Sequence, residues 1–292
     1  MISAGSTSAR GTRGWNSDLF KTVLVTGGAG SLGSALVKTL LEETGAIVRV
    51  FDGDDYKLAK LKREMDNPRL RCLLGDVRHF RRLEMAAKEV DVVFHLAAIK
   101  HVDIAEYNPI ETIRVNVDGL MNIVEVCLRT IPKKMMFISS DKACGFTSLY
   151  GATKFLGEKI MGWAHQVTHP GIVFSSIRPG NIMESRGNVF EIWDEQIRRG
   201  EPLTVTNPGA RRYMIHVDDA ARLILRCAEI AEGGEIFVPD MEEYSILELA
   251  KGYKRPIEIT ELKPGEKLAE SLMTEDEMKR AVKVENIWVI RP

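Results

Sequence analysis

The stretch TVLVTGGAGSLGSALVKTLLEE, residues 22–43, decides the fold. Its opening TVLVT (22–26) is β-branched and aliphatic and reads as a strand. Its closing part (31–43) places Leu32, Leu36 and Leu40 on one face of a helix. Between them runs Thr26-Gly27-Gly28-Ala29-Gly30-Ser31-Leu32-Gly33. Glycines at 27, 30 and 33 permit a tight turn, a close approach of backbone to a pyrophosphate, and close packing of helix on strand. The helix that follows offers free N–H groups and the positive end of its dipole to phosphates. A glycine triplet alone is an ordinary turn. With a strand before it and a helix after it, the segment reads as a dinucleotide cradle made by Gly27, Gly30, Ser31, Leu32 and Gly33.

Outward from that cradle, short β-branched runs alternate with segments of helical period. Strands are expected at 46–51, 70–74, 92–96, 135–139 and 172–177, and helices at 55–65, 80–89, 109–130 and 148–165. In the long helix Ile113, Val117, Leu120, Val124 and Cys127 form a stripe of threes and fours. Such alternation implies an α/β fold, a Rossmann-like doubly wound parallel sheet with helices on both faces. After Pro179 the rhythm breaks into short strands and Gly/Pro turns, as expected of a smaller C-terminal substrate lobe. The expected division is a disordered tail over 1–17, a dinucleotide-binding core over 18–178, and a mainly substrate-binding lobe over 179–292, all in one integrated domain.

Two acidic residues extend the cofactor reading. Asp52, nineteen positions beyond Gly33 at the end of the second strand, can accept both ribose hydroxyls of NAD and would repel a 2′-phosphate with no cation beside it. Asp76, after the third strand, is placed to meet the adenine edge or to cap the next helix. NAD is therefore expected over NADP.

The chemistry is expected past the fifth strand, at the carboxyl edge where open α/β sheets bind ligands. Ser139-Ser140-Asp141-Lys142 occupies that edge, and Tyr150 and Lys154 follow at i, i+4 spacing on one helix side. A lysine beside a tyrosine is expected to lower the phenol's pKa towards the range of a working base. Lys100 and His101 follow the fourth strand at the same edge. Arg178, Arg186 and Arg212 are candidates for a diphosphate, because a guanidinium suits phosphate geometry. His95 reads as a core histidine, and the charged helix 55–65 as a solvated face.

Composition narrows the class. The 292 residues carry 40 Lys+Arg against 41 Asp+Glu, a formal charge of −1, which gives no broad attraction to nucleic acid or anionic membrane. No apolar run approaches the roughly 18 residues of a membrane span. Cysteines 72, 127, 144 and 227 show no CxxC pair and no metal-ligand spacing, so reduced thiols and no metal are expected.

Five segments, FHLAAIKHVDIAEYNP (94–109), SSDKA…LYGATK (139–154), IRPGNIMESRGNV (177–189), GGEIFVP (233–239) and KPGEKLAE (263–270), make the chain resemble the extended short-chain dehydrogenase/reductases. More narrowly it resembles the soluble nucleotide-sugar 4,6-dehydratases acting on UDP-N-acetylglucosamine, several of which invert C5. The resemblance runs from about Phe20 to the C-terminus. It implies Asp141, Lys142, Tyr150 and Lys154 as catalytic residues, with Lys142 as C5 base and Asp141 as C6 acid. It implies substrate contacts at Lys100, Asn181, Arg186 and Glu266, to which the diphosphate candidate Arg212 is added. It adds Val77, Leu96, Ala97, Ala98, Ile138 and Ser139 to the cofactor side. It further implies a cytoplasmic homo-oligomer built on dimers, up to a hexamer, with a UDP-sugar as partner. The family's Ser-Arg step, suited to NADP, is here Asp52-Gly53. Ser140 stands where the family has Thr, and Gly145-Phe146 replaces an Asn-Pro step. A nucleotide-sugar 4-epimerase shares the Tyr-Lys pair but has no need of Asp141-Lys142. A cofactor-sensing regulator typically lacks the Tyr-Lys pair.

Overall fold

The computed structural model describes residues 14–261, 265 and 267–292. The first half alternates strands β1 (Thr22–Thr26), β2 (Ile47–Asp52), β3 (Leu70–Leu74), β4 (Val92–His95), β5 (Lys134–Ile138) and β6 (Val173–Ile177) with helices. These are α1 (Ser31–Glu43), α2 (Asp55–Met65), α3 (Phe80–Ala87), α4 (Val102–Tyr107), α5 (Pro109–Ile113), α6 (Gly119–Thr130) and α7 (Leu149–Val167). Then come β7 (Asn181–Ile182), α8 (Val189–Arg199), β8 (Leu203–Val205), β9 (Arg211–Ile215), α9 (Val217–Ile230) and β10 (Ile236–Pro239). The chain closes with β11 (Glu242–Ser245), α10 (Ile246–Lys251), β12 (Ile257–Ile259), α11 (Glu275–Arg280), β13 (Ala281–Val284) and β14 (Ile287–Ile290).

The main sheet runs β13-β14-β10-β6-β5-β4-β1-β2-β3. Strands β1 to β6 and β10 pair in parallel, and β14 and β13 add an antiparallel edge. The chain order reverses between β1 and β4, which opens a crevice at their carboxyl ends. Helices cover both faces, so consecutive residues Val23, Leu24 and Val25 are all fully buried, a two-sided burial that explains the unbroken apolar run.

The segment after Pro179 is shared between two places. Helix α9 packs on α1, and β10, β13 and β14 complete the main sheet. The remaining pieces build a separate small core around Trp193, Leu203, Val205, Met214 and Ile246. Trp15 and Asn16, inside the stretch expected as a tail, are docked: Trp15 Nε1 donates to Glu43 (3.1 Å) and Asn16 N to Glu229 (2.9 Å). Among the described residues no helix is long and apolar enough to cross a membrane.

The long helix expected over 109–130 contains a π-turn at Arg114–Asp118. A π-turn inserts one residue and rotates everything before it. Ile113 is consequently 43% exposed, a correction to the expected stripe, while Val117, Leu120, Val124 and Cys127 are buried. The same turn sends Asn116 inward, where it is 4% exposed.

Candidate active site

The glycine turn is closed on every side. Gly27 has φ +68°, and a Cβ there would stand 2.7 Å from Ala97 N, so the loop lies against the backbone that follows β4 at Leu96 and Ala97. At Gly33 a Cβ would stand 2.3 Å from Gly27 O. Gly28, not among the expected positions, is equally tight, with Val50 Cγ1 2.8 Å from its would-be Cβ. Gly30 is looser, 3.2 Å from Gly27 O. No side chain caps α1, so its first N–H groups are left for a phosphate. Asp52 Oδ2 accepts from Ala29 N (3.0 Å) and Oδ1 from Asp54 N (3.1 Å). Each oxygen keeps a lone pair for a ribose hydroxyl.

Two expectations about this end change. A cation that the sequence did not place near this end comes close to Asp54 through space. Arg186 N donates to Ser31 Oγ (3.1 Å), which brings its loop over the glycine turn, and its charge reaches Asp54. Asp76 does not present a free carboxylate: Arg78 holds Oδ1 through Nε (3.0 Å) and Oδ2 through Nη2 (2.6 Å). That pairing depresses the Asp76 pKa. Val77 lies against Gly119, whose would-be Cβ stands 2.6 Å from Val77 Cγ2.

At the end of β5 a one-turn 3-10 helix spans Asp141–Ala143. Asp141 is 1% exposed, and its Oδ1 accepts from Ser140 Oγ (2.8 Å) and Lys142 Nζ (3.2 Å). Its Oδ2 accepts from Asn181 Nδ2 (3.3 Å), and Asn181 also donates to Tyr213 O (3.2 Å). Burial pulls the Lys142 pKa down, but Asp141, Glu270 and Tyr150 outweigh it and the net shift is upward. Lys142 is thus an ammonium in this arrangement.

Helix α7 carries Tyr150 and Lys154 against that turn. A Cβ at Gly151 would stand 2.3 Å from Lys142 O, so only glycine lets the helix come this close. Ser148 caps the helix by accepting from Gly151 N (3.2 Å). Lys154 Nζ donates to Ile138 O (2.6 Å) and lies 4.6 Å from the Phe137 ring centroid. The expected lowering of the Tyr150 pKa by Lys154 is not found. Burial raises the phenol, with Lys142 and Ser140 opposing it. Lys154 itself is brought down to about 7 by burial, against the pull of Glu158. The physical reason is common to both: a buried group disfavours its charged form.

The other expected residues divide. Lys100 Nζ donates to Arg186 O (2.8 Å), joining the β4 loop to the loop over the glycine turn. Desolvation lowers its pKa, and Arg186 and Lys142 add to the effect against Glu191. Arg212 is tied to backbone, donating to Lys267 O (2.9 Å) and Leu268 O (3.0 Å), while its charge bears on Lys142. Glu266 lies outside the described residues. Ser139 turns its hydroxyl away to Glu158 (2.6 Å). Arg178 is no phosphate ligand: its guanidinium is spent on Glu158, Glu277 and Leu272 O. His95 is a buried core histidine bonded through Nδ1 to Thr26 Oγ1 (2.8 Å), with its pKa lowered to about 3 by burial.

Asn116 and Glu270 escaped the sequence reading, and Ser140 was placed at the edge without its partners. Ser140 touches both Asp141 and Tyr150; the hydroxyl itself was the signal. Asn116 grips Ile99 N and O (2.8 and 3.0 Å) and Thr153 Oγ1 (3.0 Å), but the helical period gave no hint of it. Glu270, in a distant segment, adds its charge to the pull on Lys142.

This arrangement has relatives. The model of the polysaccharide biosynthesis protein family matches residues 23–292. An uncharacterized membrane protein of Methanocaldococcus jannaschii is 40% identical over 93% of this chain and 86% of its own. The UDP-N-acetylglucosamine 4,6-dehydratase (inverting) of Campylobacter jejuni is 35% identical over 93% of this chain and 83% of its own. The UDP-glucose 4-epimerase of Rickettsia massiliae is 34% identical over 89% and 80%. Among solved structures, Pen from Bacillus thuringiensis superposes with a TM-score of 0.88 at 35% identity, covering 93% of this chain and 88% of that one. With residues 23–292 matched, from β1 to the last residue, this chain belongs to the polysaccharide biosynthesis protein family.

Proposed function

We propose that the protein is a nucleotide-sugar 4,6-dehydratase acting on UDP-N-acetylglucosamine, inverting C5, with NAD bound in the glycine cradle. The observation that carries this reading is the Asp141–Lys142 contact of 3.2 Å, held beside Tyr150 at the carboxyl edge of the sheet. The Campylobacter relative supports the substrate class, and Asp52 at the ribose position supports NAD.

Gly27, Gly30 and Gly33 would hold NAD, which would supply the hydride acceptor at C4 and the hydride donor at C6. Tyr150 rests as a phenol, so it must first release its proton to solvent; the phenolate then takes the C4 hydroxyl proton, and the C4 ketone acidifies C5–H. Lys142 is charged at rest, so it must first pass its proton to Asp141, turning the ion pair into a neutral amine and a carboxylic acid. The amine then removes the C5 proton while Asp141 protonates the departing C6 hydroxyl as water. Both groups are thereby reset to carboxylate and ammonium. Addition of a solvent proton to the opposite face of C5, with hydride returned to C6, gives the inverted sugar.

A 4-epimerase is the second reading, favoured by the Rickettsia relative. It would use Tyr150 and Lys154 and leave the Asp141–Lys142 pair idle. Incubation with UDP-N-acetylglucosamine and analysis by NMR separates the two. The dehydratase yields a 4-keto-6-deoxy sugar, carries deuterium from C4 to C6, and takes solvent deuterium at C5. A C4 epimer with its C6 hydroxyl intact would replace this reading with the second, and no product at all would favour a regulator. Retained configuration at C5 would remove only the inversion.

A further inference from the structure

The segment between β7 and α8 is tied to the substrate lobe at both ends. Glu184 Oε2 accepts from Val217 N (2.9 Å) at the start of α9, and its Oε1 meets His216 Nδ1 (2.7 Å). Asn188 caps α8 by accepting from Glu191 N (2.9 Å). Between these anchors the backbone of Arg186 crosses to the dinucleotide-binding half. Its N–H donates to Ser31 Oγ (3.1 Å) at the first residue of α1. Its carbonyl accepts from Lys100 Nζ (2.8 Å) in the loop after β4. β1 and β4 are neighbours in the sheet, and the crevice opens between their carboxyl ends. Gly27 packed on Ala97 makes its floor. Arg186 therefore spans it, N–H to the β1 side and carbonyl to the β4 side. Gly187 keeps the span low: its φ is +74°, and a Cβ there would stand 2.3 Å from His101 Cε1. Among the described residues Ser31 Oγ and Lys100 Nζ have no other hydrogen-bond partner, so neither crossing bond is duplicated.

We propose that the Arg186 backbone is a latch across the dinucleotide crevice, and that NAD enters and leaves only when the Ser31 and Lys100 bonds open. The proposal rests on the glycine turn being an NAD cradle, and not on the reaction that follows. Two single hydrogen bonds at the surface, on a span anchored at both ends, open locally and close again in register. A reaction that returns its hydride to the same sugar has no need to exchange cofactor, and a closed latch keeps it in place. The latch bonds join protein to protein, so they open as often with NAD in the crevice as without it. Such a gate slows entry and exit by one common factor and leaves Kd where it is.

The test follows NADH fluorescence on the full-length protein. Equilibrium titration gives Kd, and displacement of bound NADH by excess NAD gives the off-rate. Ser31→Ala and Lys100→Met each delete one latch bond, and each should raise the off-rate roughly fivefold, the net worth of one hydrogen bond, with Kd little changed. The double variant should raise it by about the product of the two. Gly187→Ala, which drives a methyl into the His101 ring without altering Ser31 or Lys100, should open the latch as well. Off-rates that stay at the unmodified value in these variants overturn the proposal. So does an off-rate that rises only in step with Kd, since that marks a lost cofactor contact rather than a gate. NADPH is measured beside NADH. A chain that takes NADPH alone replaces the NAD assignment, and the same rates then decide the latch on NADPH; binding of neither sinks both.

Discussion

Two buried charge clusters lie within one helix of each other and differ in how completely their bonds are satisfied. Around Arg178, Nε and Nη2 hold Glu158 at 2.9 and 2.7 Å, while Nη1 and Nη2 hold Glu277 at 2.8 and 2.9 Å. Nη1 also reaches Leu272 O at 2.9 Å, and Ser139 completes Glu158 at 2.6 Å. Burial works against the guanidinium, yet the carboxylates more than offset it and raise its pKa. Around Lys142 the bonds are longer, 3.2 Å to Asp141 and 3.3 Å from Asn181 to Asp141, and Glu270 keeps an oxygen with no donor. The saturated cluster pins α7 to α11 and to the segment just before it. The unsaturated one keeps lone pairs and a proton available. Buried charge alone therefore does not mark a catalytic site; incomplete pairing does.

The contrast can be broken at several points. Removing the unsaturated cluster's lysine should affect chemistry and leave the fold alone. Lys142→Ala should lose 6-deoxy product by ~10²–10⁴-fold, the usual worth of a positioned base. A 4-keto sugar retaining its C6 hydroxyl should still be detectable by mass spectrometry, and near-normal dehydration would strip Lys142 of its role. The saturated cluster should respond the other way. Arg178→Met strands two buried carboxylates, and urea unfolding should show a loss of roughly 3–5 kcal/mol. A stable Arg178→Met protein would mean that the network around Glu158 is ornamental.

Asp52 stands between these extremes, with each oxygen bonded once and still able to accept again. Asp52→Ala combined with Gly53→Arg should shift preference from NAD towards NADP by roughly tenfold, the worth of one charged hydrogen bond. Tighter NADP binding by the unmodified protein would show that Arg186 already neutralises the ribose end. A further effect depends on pH and concerns Lys154, whose folded pKa of about 7 lies below its ordinary value. Between about 7 and that value the unfolded chain holds the proton and the folded one does not, so stability rises with pH across this window. A Lys154→Met protein should be the more stable form below pH 7, and its advantage should shrink as pH rises. A pH-independent difference would mean that the amine stays charged when buried.

Much of this was legible from residues close together in the chain. The Gly27–Gly33 turn, the flanking strand and helix, and Asp52 are local features, because a backbone turn is made by its own residues. Tyr150 and Lys154 share a helix face by spacing alone, and Asp141 and Lys142 are chain neighbours. What periodicity could not convey was the π-turn at 114–118, which broke the stripe at Ile113 and buried Asn116. Nor could spacing foresee that Arg178, well suited to phosphate, would be consumed by Glu158 and Glu277, or that Asp76 would be taken by Arg78.

The sequence by itself determined the alternation of strand and helix, the glycine turn and the spacing of Asp141, Lys142, Tyr150 and Lys154, the proposed catalytic side chains, because each depends on neighbours within a few residues. Only the tertiary structure decided their protonation and their partners. The Tyr150 pKa rose instead of falling because burial outweighed a lysine that had turned to Ile138 O. Lys142 kept its proton because Asp141 beside it, with Glu270 and Tyr150 adding to the pull, outweighed its burial. Charge and desolvation act through space, and a linear spacing carries no record of what the fold brings near.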